Sequence, residues 1–151
     1  MSLGGGGGQM QELQQQLQAL EQQKQAIEAE IQSLRTEQSE IDEAIEAIET
    51  LDTGSTVQVP LGGDAYVRAE IEDIDEVIVT LGGGYAAERD SDGAIDSLET
   101  KKGTLDERIE ELNEEITAVE SETERIEQQA QQAQQQQMQQ MQQQMQQQDD
   151  E

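Results

Sequence analysis

The sequence predicts an α+β chain: a long antiparallel α-helical coiled coil whose two helices flank two central β-hairpins that join an oligomeric hub. Apolar residues repeat at heptad spacing towards both ends of the chain, and between these stretches they alternate around glycine turns. Only 32% of the 151 residues are hydrophobic, with two Tyr and no Phe or Trp. Such a chain cannot form a thick core alone, so we expect it to bury its hairpins against other chains.

These patterns divide the chain into five segments. Residues 1–9 are predicted as a flexible, glycine-rich leader, and 10–53 as the N-terminal coiled-coil helix. Residues 54–91 hold the two β-hairpins of the assembly hub, and 92–133 form the C-terminal coiled-coil helix. The last segment, 134–151, is a Gln/Met-rich distal tip with an acidic end. Antiparallel packing of the two helices would bring both chain ends together.

The first helix shows a three-four alternation of apolar residues that starts at Met10. With Met10 at heptad position a, Leu13 and every seventh residue after it fall at position d. Lys24 and Gln38 fill polar positions of this seam, where a register device is a better interpretation than an active-site residue. Gly54 is placed to end the helix. The apolar seam comprises Met10, Leu13, Leu17, Leu20, Ile27, Ile31, Leu34, Ile41, Ile45 and Ile48.

The central segment alternates apolar and polar residues, as strands do. The stretches VPLGG and VTLGG match at an offset of twenty residues, which predicts two successive hairpins with return strands at 65–71 and 85–89. Pro60 indicates an edge or bulge, and the run Val77-Ile78-Val79 should be covered on both faces. Two hairpins form no stable sheet in isolation, so they are expected to assemble with other chains. The candidate assembly residues are Val57, Val59, Leu61, Tyr66, Val67, Val77, Ile78, Val79 and Leu81.

The second helix is predicted to follow the capping candidates Ser91 and Asp92 and to keep its seam in register as far as Ala133. Gly103 lies inside this helix, where it costs about 1 kcal/mol relative to alanine. A local weak point near the base of the helix is therefore expected. The apolar seam comprises Ile95, Leu98, Leu105, Ile109, Leu112, Ile116, Val119, Ile126, Ala130 and Ala133.

The stretch QQQQMQQMQQQMQQQ carries Met138, Met141 and Met145, spaced three and then four residues apart on one helical stripe. These methionines fall one residue later than the seam register predicts, so they should lie off the line that faces the first helix. The pattern favours an exposed, adaptable apolar strip. How far the stretch is helical stays open, because an unpaired helix end frays.

The charge balance limits the possible partners. Acidic residues number 35 against 8 Lys plus Arg, a formal net charge of -27. Nucleic acid and anionic membranes are disfavoured, because phosphate binding needs basic groups. Self-repulsion should be relieved when the Debye length shrinks to about 3 Å at 1 M salt, so we expect a halophilic source. No apolar run approaches the roughly 18 residues of a membrane span, and the expected location is cytoplasmic.

The residue types argue against an enzyme. Histidine and cysteine are absent, which removes the usual general base, thiolate nucleophile and transition-metal ligands. Carboxylate clusters such as Asp106-Glu107 lie on outward helix positions, and the glycine turns match no phosphate-binding motif. We therefore predict no catalytic, cofactor-binding or metal-binding residue. The two aromatic residues, Tyr66 and Tyr85, are expected to pack at the hub.

A long helix, two hairpins carrying VQVPLGG and LGGGY, and a second long helix occur in this order in one family. On these motifs, and from Met10 to Gln148, the sequence resembles archaeal prefoldins. The doubled hairpin resembles their α-type subunits, since β-type subunits have a single hairpin. The resemblance implies a hexamer of two α and four β subunits, with the hairpins forming a β-barrel hub.

The same resemblance implies an ATP-independent chaperone. Such complexes hold unfolded polypeptides at the coiled-coil tips and transfer them to a group II chaperonin. The client-binding residues that the resemblance implies here are Met10, Leu13, Met138, Met141 and Met145.

Two other interpretations stay open. A structural coiled-coil scaffold or tether would dock one fixed partner and would not protect unrelated denatured proteins. An acidic finger inserted into an enzyme's channel would need its acids at a helix-to-helix turn, where this sequence has hairpins instead.

Overall fold

The computed structural model describes residues 3–149, and side chains over 8–148. Two long helices flank two antiparallel hairpins, which confirms the predicted fold class. The chain divides into two compact units, a hairpin unit of residues 32–109 and a terminal unit of residues 1–31 and 110–151. No helix of the described part is long and apolar enough to cross a membrane. The elements in chain order are α1 (Leu3–Thr50), β1 (Thr56–Gly62), β2 (Ala65–Glu70), β3 (Val77–Gly82), β4 (Tyr85–Arg89) and α2 (Ser91–Asp149).

Both helices extend beyond the predicted seams. α1 begins at Leu3, so the Gly4–Gly8 run that was predicted as leader lies in its first turns, and residues 1 and 2 lie outside the described part. α2 passes Ala133 without a break and continues to Asp149. Gln and Met are good helix formers, so they let a helix propagate past the end of its apolar seam.

In the hairpin unit, α1 and α2 run antiparallel. Ile41 and Ile109 are buried. The Gln38 amide donates to Oδ1 of Asp106 at 2.5 Å, and the Lys102 ammonium lies 2.8 Å from Oδ1 of Asp42. Moving forward along α1 from Gln38 to Asp42 thus moves backward along α2 from Asp106 to Lys102, as antiparallel helices require. The polar seam residue Gln38 also donates to the backbone carbonyl of Lys102 at 3.2 Å, so it bonds across the two helices as a register-setting residue of a coiled coil does.

The two hairpins have the same construction. β1 pairs with β2 and β3 with β4, in two separate two-stranded sheets. Both ladders shift register just before the turn, between Pro60 and Gly62 and between Thr80 and Gly82. The bulge that Pro60 predicts is therefore confirmed, and it recurs in the second hairpin. Each turn passes through left-handed backbone, which includes Asp64 at φ 62°, a conformation that Gly and Asp tolerate.

α1 ends at Thr50, whereas the sequence predicted a helix as far as residue 53. The chain turns at Asp52, whose backbone N–H donates to Oγ of Ser55 at 3.0 Å and whose carbonyl accepts from the Ser55 N–H at 3.0 Å. Gly54, at φ 90°, donates its N–H to the carbonyl of Ile71 at 2.8 Å. These bonds commit the backbone to the hairpin, so the helix stops before the glycine.

α2 begins at Ser91 and is capped by Asp90. Oδ1 of Asp90 accepts from the Gly93 N–H at 2.7 Å, and the Asp90 carbonyl accepts from the Ala94 N–H at 2.8 Å. The cap predicted at Ser91 or Asp92 was therefore wrong. Because Asp90 directly follows β4, the chain passes from strand to helix with no further loop residue.

A substitution at Gly93 tests this cap. A Cβ at Gly93 would lie 2.7 Å from Oδ1 of Asp90, so Gly93→Ala should displace the cap and lower the free energy of unfolding by about 1 kcal/mol. The matched control is Gly103→Ala in the same helix, where a Cβ meets no atom within 4 Å. That control should raise stability by up to about 1 kcal/mol. Equal shifts of the two variants in urea unfolding would contradict the cap.

In the terminal unit, α1 and α2 also pack antiparallel. The Lys24 ammonium lies 3.2 Å from Oε1 of Glu120. Ala133 is half-buried, and every described side chain of α2 beyond it is exposed. The buried residues belong to the two heptad seams, as predicted: they are Leu13, Ile27 and Ile31 on α1 and Leu112, Val119 and Ile126 on α2.

Candidate functional site

Three methionines form an exposed apolar strip near the end of α2. Met138, Met141 and Met145 expose 61%, 64% and 69% of their surface. Their spacing places them on one helical face, and all the remaining residues from 134 to 148 are glutamine. We call Met138, Met141 and Met145 the methionine strip.

The strip is exposed because it does not continue the apolar seam of α2. The next seam position after Ala133 is 137, which is Gln and exposed, so the methionines are out of phase with the seam. Each methionine lies one residue beyond a seam position, which turns its side chain about 100° around the helix from the seam.

The structure does not bring Met10 and Leu13 into this strip. Leu13 is buried and Met10 is half-buried, because both belong to the helix–helix seam of the terminal unit. Of the five residues implied as client-binding, the three of the methionine strip are thus the exposed ones. Leu13 contributes to helix pairing rather than to a free surface.

A second apolar surface lies on the hairpins. Ile78 is 72% exposed while its neighbour Val79 is 5% exposed, so β3 packs one face within the hairpin unit and presents the other outward. Val57 and Val77 are half-buried. We call the large apolar residues of the hairpins that are at least 40% exposed the hairpin surface; they are Val59, Leu61, Tyr66, Val67, Ile78, Leu81 and Tyr85.

Tyr85 was expected to pack at the hub but was left out of the candidate assembly residues, and it is the most exposed of this set, at 76%. The signal that points to it is the twenty-residue repeat. Aligning VPLGG with VTLGG places Tyr85 at the same turn-flanking position as Ala65, and both residues pair with the last glycine of the preceding strand. A large aromatic side chain therefore occupies a turn position where the first hairpin has a methyl group.

The resolved pKa shifts come from ion pairs between groups that are at least partly exposed to solvent. A hydrogen bond and the charge of Glu120 raise the pKa of Lys24 above its ordinary 10.5, and Asp42 does the same for Lys102. The Arg125 guanidinium hydrogen-bonds Glu122 and lowers the pKa of that carboxyl below its ordinary 4.5. Each shift keeps its group charged near neutral pH. They therefore indicate structural ion pairs rather than a proton-transfer site.

An open groove of about 500 Å³ lies in the hairpin unit. Its lining offers hydroxyl, ammonium, guanidinium and aliphatic groups, but no carboxylate or imidazole that could act as a general base. Within residues 3–149, no three His, Cys, Asp or Glu side chains are grouped to hold a metal ion. The two exposed apolar surfaces are the stronger candidates for function. The groove is lined by Leu81, Arg89, Ser97, Thr100, Lys101, Thr104 and Leu105.

Comparison with known families gives a match over most of the chain. The profile of the family described as Prefoldin subunit matches residues 20–136. The prefoldin subunit alpha of Haloarcula marismortui is 68% identical over 116 residues, which cover 77% of this chain and 75% of that protein. That of Halobacterium salinarum is 67% identical over 113 residues, which cover 74% and 73%. Both relatives come from halophilic archaea, in agreement with the source expected from the charge.

Solved structures show the same fold at lower identity. Filamentous PFD from Methanocaldococcus jannaschii superposes with a TM-score of 0.52 at 24% identity, covering 79% of this chain and 95% of that chain. The prefoldin beta subunit from Thermococcus strain KS-1 gives a TM-score of 0.54 at 22% identity, covering 83% and 91%. At these identities the likeness concerns the fold alone.

Proposed function

This chain belongs to the prefoldin family, as an α-type chaperone subunit, and from that premise we propose where and how it acts. It holds unfolded polypeptides at the methionine strip in the cytoplasm, without ATP, and passes them to a group II chaperonin. The family is not enzymatic, and the proposed mechanism needs no bond to be made or broken. Binding and release depend on competing apolar contacts alone.

The observation that carries this proposal is the exposure of three methionines on one helical face, each more than 60% exposed. An unfolded client presents apolar groups in no fixed arrangement, so it is held best by side chains that can repack. Methionine is unbranched, flexible and polarizable, which suits it to such contacts. The surrounding glutamines keep the helix end hydrated while no client is bound.

The hairpin surface supports assembly with other subunits. Isolated two-stranded sheets are marginal in water, and their edges invite pairing with other chains. We infer that the hairpins of two α and four β subunits cover one another in a β-barrel hub. Each complex then carries several weak client contacts, whose effect adds through their high effective concentration.

An aggregation assay tests the strip. The assembled complex with its cognate β-type subunits is mixed with a denatured protein in molar salt, and light scattering is followed. Truncation after Ala133, or Met→Gln at all three strip positions, should raise the amount of complex needed for protection by about threefold or more. The triple Met→Gln variant keeps helix propensity, so it removes apolar contact alone.

The matched control substitutes three glutamines of the same helix that face away from the strip, Gln136→Ala, Gln139→Ala and Gln143→Ala. This control should protect the client as the unaltered complex does. Equal protection by the triple Met→Gln variant and the unaltered complex would remove the strip from the client site. A complex that protects no unrelated client in any form would instead favour a scaffold that docks one fixed partner.

A further inference from the structure

We propose that the methionine strip is also a modification site, at which a peroxide oxidises the thioethers to sulfoxides and thereby weakens client holding. This inference rests on the proposed function, because it concerns the same surface. It assigns the strip a second property: its affinity for apolar clients falls under oxidising conditions and recovers on reduction.

The strip concentrates the reactive sulfur of the chain. The sequence has no cysteine, so its only sulfur atoms are those of five methionines. Met10 is half-buried in the helix seam, and Met1 lies outside the described residues. The three strip methionines are each more than 60% exposed. Because oxidation of sulfur side chains follows their accessibility, the strip should react before Met10.

The neighbours of the strip along α2 offer little protection from peroxide. Nothing but glutamine separates the three methionines along α2, and an amide side chain does not compete for peroxide.

The reaction is a two-electron oxygen transfer. The methionine sulfur attacks one oxygen of hydrogen peroxide, so that an S–O bond forms while the O–O bond breaks. The sulfur is oxidised by two electrons, and the departing oxygen is reduced and leaves as water after taking up a proton. The product is a polar sulfoxide with a strong hydrogen-bond acceptor where the strip had a thioether, and reductases can reverse the change.

Because the strip lies off the helix–helix seam, its oxidation should weaken client binding without unfolding the helices. Oxidation of a buried methionine disrupts the core around it. The strip side chains are each more than 60% exposed and lie off the seam register, so their oxidation should cost little helix–helix packing. Helix content and assembly should therefore stay unchanged while the surface becomes too polar for an apolar client.

The experiment treats the assembled complex with hydrogen peroxide in molar salt. Peptide mass spectrometry measures sulfoxide at each methionine, circular dichroism measures helix content, and light scattering measures protection of a denatured client. The matched variant carries Met→Leu at all three strip positions, which keeps the surface apolar but leaves nothing there to oxidise. It is assembled with the same β-type subunits, so oxidation of those subunits is common to both samples.

We expect sulfoxide at the strip before Met10, and about a threefold or greater loss of protection in the oxidised unaltered complex with little loss in the Met→Leu complex. Treatment with methionine sulfoxide reductase should restore protection. The inference is overturned if Met10 oxidises first, if full oxidation of the strip leaves protection unchanged, or if the Met→Leu complex loses as much. The unoxidised Met→Gln variant distinguishes the proposed client site from the oxidation proposal. If this variant protects the client fully, the strip is not the client site. If it fails to protect while the oxidised unaltered complex still protects, only the oxidation proposal is wrong.

Discussion

In dilute buffer, the thermal midpoint of the assembled complex should lie about 10 °C or more below its value in molar potassium chloride. The chain carries 35 acidic and 8 basic residues, so 35 − 8 = 27 acids are left even if every cation pairs with one. None of the described charged side chains is buried. The repulsion therefore acts between exposed groups, which salt screens effectively when the Debye length falls to about 3 Å.

Salt also strengthens apolar burial, so the charge effect needs its own control. Sucrose stabilises folded chains without screening charges, and it should recover little of the lost midpoint. A midpoint that stays constant between dilute and molar chloride would contradict the charge argument.

Two triple variants should change the salt dependence of the thermal midpoint in opposite directions. Glu107→Gln, Glu114→Gln and Glu115→Gln together remove three exposed acids and should reduce the salt dependence of the midpoint. Gln128→Glu, Gln129→Glu and Gln132→Glu together add three acids to the same helix and should increase it. The six positions are all exposed, so packing changes little in either variant.

The helices were predictable because a coiled-coil seam repeats one local rule many times. Each three-four step from Leu13 to Ile48 is weak alone, but the sum leaves one register, and the structure buries or half-buries every member of it. The polar seam residues Lys24 and Gln38 were likewise recognisable, and both contact α2 across the seam.

The helix ends were less predictable, because single backbone bonds decide them. α1 stops at Thr50 since the Asp52 and Ser55 pairing begins the turn. α2 is capped by Asp90, whose role depends on where β4 ends and not on the residue type alone. Several Asp and Ser residues lie at each junction, and any of them could cap a helix. Which one reaches a free N–H depends on the backbone conformation rather than on residue type.

The candidate site was predictable where phase alone decides it. The one-residue offset of Met138 from the seam follows from counting, and it agrees with the 61% exposure of that residue. Heptad phase likewise places Leu13 on the seam, where the structure buries it. The difference between Ile78 and Val79 could not be predicted in this way, because both are apolar neighbours on one strand and only the packed structure shows which side chain is covered.

The outward face of β3 should be required for assembly with β-type subunits. Ile78 lies opposite Glu88 in the β3–β4 ladder, so Ile78→Lys places a favourable charge pair across the strands and keeps the hairpin. The free energy of unfolding of the purified subunit should then change by only about 0.5 kcal/mol. In contrast, a lysine on this face cannot be covered by a neighbouring subunit without losing its hydration. Sedimentation with cognate β-type subunits should show little or no complex.

Two further variants locate the cause. Val79→Lys puts the same charge on the buried face of the same strand, so it should destabilise the subunit itself, by about 3 kcal/mol or more. Gln32→Lys adds the charge at an exposed position of α1, outside the hairpins, and should assemble normally. If Ile78→Lys assembles as fully as Gln32→Lys, the hairpin surface is not the subunit contact. If Ile78→Lys destabilises the subunit as much as Val79→Lys does, Ile78 packs within the single subunit, in contradiction to its 72% exposure.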